Sequence, residues 1–303
     1  MNDNKNMYTQ NPGPLKIWYL AIRPKTLPAA TGPVIVGMGL ALGDGVFKFG
    51  PVIVALLAAL LLQIGSNLAN DVYDFKKGTD TNERLGPVRV TQAGLLSPRQ
   101  VIRGMVFVFA LAFLLGLYLI YVGGWPILVI GILSIVAAIA YTAGPFPLGY
   151  KGVADIFVFV FFGPVAVCGT YYLQAGYVHP AAWWASIPPG LLVTAILVVN
   201  NLRDVETDRK AGKKTLAVRF GVPFTQAQYL ALVGTAYIIP VIMWVLGVAS
   251  DTVFLAALSL PLAVPVIKDV FTVKGSPLNV TLAGTARLSL VYCFLFSLGY
   301  LMG

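Results

Sequence analysis

Stretches of roughly 20 apolar residues recur along nearly the whole chain, each long enough to cross the hydrocarbon core of a bilayer as a helix. A chain built this way cannot gather its apolar surface into one water-soluble core. Only 11% of the 303 residues are charged and 58% are hydrophobic, where a soluble domain carries about 25% charge. The expected fold class is therefore all-α, a polytopic membrane protein. We place nine candidate spans near Leu27–Leu42, Val52–Leu68, Val101–Tyr121, Pro126–Tyr141, Val153–Leu173, Trp183–Val199, Gln226–Val248, Val253–Val270 and Ala283–Leu301. Pro28 and Pro33 interrupt the first, which is the weakest. Pro and Gly elsewhere are tolerated where neighbouring helices satisfy the freed backbone groups. The polar start, MNDNKNMYTQNPGP, reads as an N-terminal arm over residues 1–20, with no signal peptide before the first span. No linker divides residues 21–303, which we read as one membrane domain.

Charge placement supports this division. Of the 21 Lys and Arg, 20 fall before the first span, on the loops after spans 2, 4, 6 and 8, or within about a turn of those loops, and only Lys48 falls on the others. One missed helix would scramble that asymmetry. By the positive-inside rule, the N-terminus and the basic loops should face the cytoplasm. The net charge of +9 thus reports topology and some attraction to anionic lipid, and it calls for no nucleic acid.

The acids carry more information. Of 12, seven lie in two clusters: Asp71, Asp74, Asp80 and Glu83, then Asp204, Glu206 and Asp208. Both start at the cytoplasmic end of an even-numbered span. Asn67 to Asp71 and Asn200 to Asp204 share an Asn-xxx-Asp entry, and each runs into a basic, Gly-containing loop, KKGTDT or RKAGKKT. At about 100° per residue, Asn67, Asp71 and Asp74 fall within roughly 60° of one helix face, and Asn200, Asp204 and Asp208 within about 80°. A single charge run after a hydrophobic helix is ordinarily a solvated loop. Two matching runs, each starting within a turn of apolar sequence where an ionised carboxylate is costly without a partner, point to a site. Oxygen-rich clusters suit a hard cation, and Mg²⁺ fits best, bound through a few carboxylates plus substrate phosphates. His179 is the lone His and falls on the outer side; Cys168 and Cys293 lie inside spans as packing residues, so neither a zinc site nor a disulfide framework is available. Two such carboxylate sets with Arg and Lys nearby make a diphosphate clamp that neutralises a leaving group. A greasy interior beside that clamp suits a lipid diphosphate.

NLANDVYDFKKGTD and NNLRDVETDRKAGKKTLAVRFG resemble the two Asp-rich motifs of the UbiA superfamily of intramembrane prenyltransferases, and nine helices around a central cavity is the layout that family implies. AIRPKTLPAA, the GPVR stretch at Gly86–Arg89 and FGPVAVCGTYYLQ resemble its dihydroxynaphthoate branch, which makes menaquinone or phylloquinone. One departure concerns the ubiquinone branch, whose first motif runs Asp-xx-Asp-xxx-Asp. Gly78 stands where its third acid would be, and the next acid is Asp80; this disfavours hydroxybenzoate and leaves the role of Asp80 open.

The resemblance implies that Asp71 and Asp74, facing Asp204 and Asp208, hold two Mg²⁺ ions on the diphosphate of a polyprenyl donor. Asn67 and Asn200 would orient ligands or touch a metal. Arg84, Arg89, Lys151, Lys213 and Lys214 are phosphate candidates. The allylic bond would ionise, the naphthoate ring carbon bearing the carboxylate would attack, and CO2 would leave, with water excluded. No obligatory protein partner is implied. The membrane would be a bacterial inner or plasma membrane, or a thylakoid. Arg23 and Lys25 read either as partners of the naphthoate carboxylate or as anchoring charge, and Tyr141 either as an acceptor contact or as an interfacial anchor. Asp155 reads as a helix cap, Glu206 as turned away, and FVFVFF as lipid-facing or packing surface more than as a cation-stabilising wall. Homogentisate or hydroxybenzoate prenylation, chlorophyll synthesis, ion-coupled transport and a scaffold role stand as alternatives. Prenyl length, oligomeric state and the helix gap that admits lipid are not readable from the sequence.

Overall fold

The computed structural model describes residues 12–79 and 84–303. Among these there are helices and no strands. In chain order the α-helices are α1 (Pro14–Ile22), α2 (Pro28–Gly43), α3 (Phe49–Lys76), α4 (Pro98–Gly123), α5 (Trp125–Ala140), α6 (Ala154–Val160), α7 (Ala166–Ala175), α8 (Pro180–Arg203), α9 (Val205–Lys210), α10 (Leu216–Val245), α11 (Leu260–Thr272) and α12 (Leu278–Met302).

Every span read from the sequence coincides with a helical segment, but the count of nine is not sustained by length. Among the described residues, seven helical segments are long and apolar enough to cross a membrane. An eighth crossing needs α1, the short 3-10 turn Pro24–Thr26 and α2 to act as one bent pair, with an angle of 51°. α5, at 16 residues, falls short of the roughly 20 that a span needs. The bend at the first span has a local cause: Arg23 takes a left-handed conformation (φ 55°), and Pro24 and Pro28 each begin a new helical segment. α1 also straddles the expected edge of the arm at residue 20, with Trp18 packed on Gly104 of α4.

Local chemistry explains the other boundaries. Ser97 and Gln100 form a reciprocal capping box at the start of α4. Thr215 caps α10, and that helix breaks at Gly221, whose φ of 82° suits a residue without Cβ. α6 passes into α7 through a π turn, Phe161–Val165, containing Pro164, which supplies no backbone donor. Close packing lies beside that turn: a Cβ on Gly163 would sit 2.8 Å from the Ser186 carbonyl, and one on Gly190 would sit 2.8 Å from the Phe159 carbonyl. Small residues let helices approach where lipid gives no hydrophobic drive.

α8 is the most deeply enclosed span. It joins α2, α7, α10, α11 and α12 in the largest apolar cluster, around Tyr171, Tyr229, Tyr292 and Phe296. α5 lies at the other extreme, with Ile127 its single buried residue. The cysteines are free and buried, as expected of packing residues. His179 caps α8, its Nδ1 accepting from the Ala181 amide.

Candidate active site

The end of α3 carries the first acidic cluster. Asp71 is fully buried. Its two oxygens accept from the backbone amides of Val90 and Thr91, both at 3.0 Å, and Arg23 Nη2 lies 3.7 Å from Oδ2. Asp74, one turn on, accepts from Arg89 Nη2 at 2.8 Å and from the Tyr150 hydroxyl at 2.6 Å. Asn67 donates to the Ile22 carbonyl and to Thr26 Oγ1, each at 2.9 Å, tying the bent N-terminal segment to α3. Asp80 and Glu83 lie outside the described residues.

The second cluster forms where α8 ends. The expected continuous helix face is interrupted at Asp204, the junction between α8 and α9, though the Asp208 amide still reaches the Asp204 carbonyl at 2.7 Å. Arg203, 3% exposed, donates through Nε and Nη2 to Asp204, and to Asn200 Oδ1 and Asn279 Oδ1 at 2.7 Å each. Asn279, at the start of α12, donates in turn to the Leu85 carbonyl at 2.8 Å. The second cluster is thereby linked to the segment that carries Arg84 and Arg89. Asp208 pairs with Lys213 Nζ at 3.1 Å. Burial pushes the Asp208 carboxyl above its usual range; Lys213 opposes this, while the charges of Asp204 and Asp74 add to it. Glu206 is exposed and pairs with Arg209, turned away as its spacing implied.

One side chain joins the two clusters. The Tyr150 hydroxyl bonds Asp74, and its ring lies 4.9 Å from both Lys213 Nζ and Lys77 Nζ. The bridge Asp208–Lys213–Tyr150–Asp74 brings α9 and α3 to one locus. The remaining basic candidates are placed less uniformly. Arg89 is buried against Asp74. Arg84 donates to the Pro87 carbonyl, Lys151 lies over the Phe146 ring at 5.0 Å, the Lys214 amide donates to the Tyr150 carbonyl, and Lys25 is exposed.

An apolar cavity of about 270 Å³ runs among α2, α3, α4, α5 and the α6–α7 helix. Ser66 of α3, next to Asn67, lines it together with Tyr141 and Leu148. The Gly149 amide donates to the Tyr141 carbonyl at 2.9 Å, and the next residue, Tyr150, bonds Asp74, so this end of the cavity adjoins the acids. Two expectations need correcting. Phe157, Phe161 and Phe162 belong to the cavity wall rather than serving only as lipid-facing or packing surface, because the π turn keeps both Phe161 and Phe162 on the lining side. Asp155 does not cap its helix; Gln228 of α10 reaches across to take its Oδ1 at 3.0 Å.

Among the described residues, no three His, Cys, Asp or Glu converge as a ready-made metal cage. The donors are a few carboxylates, all hard oxygens, gathered at the ends of α3 and α8 and on α9. That arrangement fits Mg²⁺, which keeps waters and completes its shell with substrate phosphate. Asp71 retains capacity for this, since each carboxylate oxygen has a second lone pair beyond its amide bond.

Tyr150, Arg203, Asn279 and Gln228 were not singled out as site residues from the sequence. A signal existed for Arg203, which directly precedes Asp204 inside the second motif. The others lie 73 to 76 positions from their partners: Asn279 from Arg203, Tyr150 from Asp74 and Gln228 from Asp155 are each paired only by the fold.

Comparison with known proteins identifies the family and the fold. Residues 30–279 match the model of the UbiA prenyltransferase family, and the chain belongs to that family. A 1,4-dihydroxy-2-naphthoate octaprenyltransferase of Haemophilus influenzae is 39% identical over 95% of this chain and 97% of its own. The protein of that name from Bacillus subtilis is 32% identical over 94% of this chain and 92% of its own. Among solved structures, a UbiA homologue from Aeropyrum pernix K1 aligns with a TM-score of 0.68 at 16% identity, covering 90% of this chain and 97% of that one. A homologue from Archaeoglobus fulgidus bound to GPP and Mg²⁺ aligns at 0.66 and 15% identity, covering 95% and 100%. The fold is the UbiA fold, and the protein is integral to a membrane.

Proposed function

We propose that this chain transfers a polyprenyl group from an allylic prenyl diphosphate to 1,4-dihydroxy-2-naphthoate, with release of diphosphate and CO2. The observation that carries this reading is the bridged pair of acidic clusters beside one end of an apolar cavity. Relatives of nearly the same length named for that acceptor favour the naphthoate.

Asp71, Asp74, Asp204 and Asp208 would hold Mg²⁺, with Asn67 and Asn200 beside them. Bound Mg²⁺ would neutralise the charge that grows on the departing diphosphate. Arg89, Arg203 and Lys213 keep the carboxylates compensated in a buried setting, where an unpaired charge is costly. Arg84 and Lys213 supply positive charge for phosphate oxygens, and Arg23, beside Asp71, stands near enough to meet the acceptor carboxylate. The Phe-lined cavity takes the prenyl tail and excludes water, which would quench an allylic cation. The distribution of Lys and Arg supports a clamp on the cytoplasmic side of the membrane.

Purified protein in detergent or lipid, given Mg²⁺, geranylgeranyl diphosphate and one aromatic acid at a time, tests the reading. Prenylated, decarboxylated product is expected from dihydroxynaphthoate and not from hydroxybenzoate or homogentisate, with loss on adding EDTA. Product from a different acceptor would retain the clamp and replace the naphthoate. No product from any acceptor, together with no Mg²⁺-dependent diphosphate binding, would sink the reading.

A further inference from the structure

The lining of the apolar cavity changes character along α3. Ala55, Ala58, Ala59 and Leu62 face it from one stripe of that helix, and the stripe ends in Gln63 and Ser66, just before Asn67 and the acids. From α5, Ser134 lines the same space. The Thr142 hydroxyl donates to Asn70 Oδ1 at 3.1 Å, which fixes the level of α5 against α3. Both helices run toward the acids. Counting back from that bond sets Gln63 about 10 Å and Ser134 about 12 Å deeper, on nearly one level. Among the described residues, Gln63, Ser66 and Ser134 have no hydrogen-bond partner. Hydroxyls elsewhere in the spans, on Thr170, Thr194 and Thr285, settle on the carbonyl one turn back; those of Ser66 and Ser134 do not.

A prenyl tail offers nothing to an amide and two hydroxyls. Polar side chains inside a span are costly and mark sites, and ligand pockets set a few polar groups in an apolar lining to fix orientation. Gln63 is the largest of the three, and its amide both donates and accepts. Along α3, Ser66 lies about 7 Å and Gln63 about 12 Å from Asp71. Arg23 stands 3.7 Å from Asp71. A fused-ring aromatic acid with its carboxylate beside Arg23 therefore lies along this polar end of the cavity.

We infer that Gln63 is a specificity-determining residue for the aromatic acceptor. Its amide hydrogen-bonds the ring hydroxyl that is not adjacent to the carboxylate, with Ser66 one turn on and Ser134 on the same level. This rests on the prenyl-transfer reading above and deepens it by dividing the cavity. The ring takes the polar end beside the acids, and the prenyl tail takes the apolar remainder toward Ala55 and Ile127. An acceptor without that hydroxyl leaves the amide unpaired in apolar surroundings and is rejected for that reason.

The test compares dihydroxynaphthoate with 1-hydroxy-2-naphthoate, which lacks the hydroxyl in question. Dissociation constants of both are measured for the full-length wild-type protein and for Gln63→Met, which keeps the side-chain length and removes the amide. The wild type should bind the diol about 10-fold or more tightly, and Gln63→Met should bind the two acids nearly alike. Mg²⁺-dependent binding of geranylgeranyl diphosphate should be unchanged. The Tm of metal-free protein should be unchanged or raised, because the substitution removes an unpaired amide. A purely structural glutamine would instead lower Tm and weaken both ligands together, and that result would overturn the proposal. Equal binding of the two acids by the wild type, a measurement that needs no variant, would also overturn it, as would full discrimination by Gln63→Met. If the wild type instead prenylates another hydroxy-arene, the naphthoate assignment fails alone, and the comparison is run with that acceptor and its deoxy analogue. Absence of Mg²⁺-dependent diphosphate binding in the wild type would overturn the prenyl-transfer reading and this inference with it.

Discussion

The two acidic segments begin with the same Asn-xxx-Asp pattern and end up held in different ways. Asp204 and Asp208 are compensated by neighbours in sequence, Arg203 and Lys213. Asp71 and Asp74 are compensated from a distance: by the amides of Val90 and Thr91, by Arg89, by Tyr150 and by Arg23. The two Asn differ likewise, since Asn200 accepts from Arg203 one turn on, whereas Asn67 reaches back to Ile22 and Thr26. A shared motif can therefore mark a shared chemistry while hiding a division of labour. The second segment supplies charge from within itself, and the first also fastens a loop and the N-terminal bend to the bundle.

If the chemistry is shared, substitution on either side should abolish it equally. Asp74→Asn and Asp204→Asn are each expected to lower turnover by about 10²- to 10³-fold, read as product formed per minute at saturating substrates. Full activity in one of the two would break the symmetry of the clamp.

If the structural work is unequal, stability should divide where activity does not. Asp71→Ala strands two buried backbone donors, and a loss of about 3 kcal/mol is expected. Asp208→Asn should be close to neutral in metal-free protein, because burial already disfavours its ionised form. Thermal unfolding in detergent with EDTA distinguishes the two, and equal shifts would erase the contrast.

A smaller effect belongs to Asn67→Ala, which removes the two bonds to Ile22 and Thr26 and should cost about 1 kcal/mol. Faster proteolysis near residues 22–26 than in Asn200→Ala would check it.

The smallest effect is on pH. The Asp208 pKa is raised in the folded chain, so the folded state holds that proton more tightly than the unfolded one. The stabilisation is complete below the ordinary carboxylate pKa of about 3.9 and is lost as pH rises through the raised value. Wild-type stability relative to Asp208→Asn should therefore decline as metal-free samples are taken from pH 4 toward neutrality, measured as the difference in Tm.

The legible parts of the molecule were those with local causes. All nine span positions were readable because each is a contiguous apolar run, and both Asp clusters because their members lie within a few turns. Helix length alone supports seven or eight of the nine, since α5 is a 16-residue helix and the first crossing depends on a bend at Arg23. Glu206 could be turned away by its spacing alone. Asp155 could not be interpreted from its place at the start of a helix, because its partner, Gln228, arrives from α10.

By itself, the sequence determined that this chain lies in a bilayer as helices, and it marked four acids whose burial beside grease demands cationic company. Those conclusions need only hydrophobic runs, charge counts and helical spacing, all of which are short-range. The tertiary structure decided what each acid touches. It folded Tyr150 between α3 and α9, brought Asn279 to Arg203, and set Gln228 of α10 against Asp155. Such pairings join residues separated by dozens of positions, and their energy depends on distances of a few ångströms that no local pattern encodes.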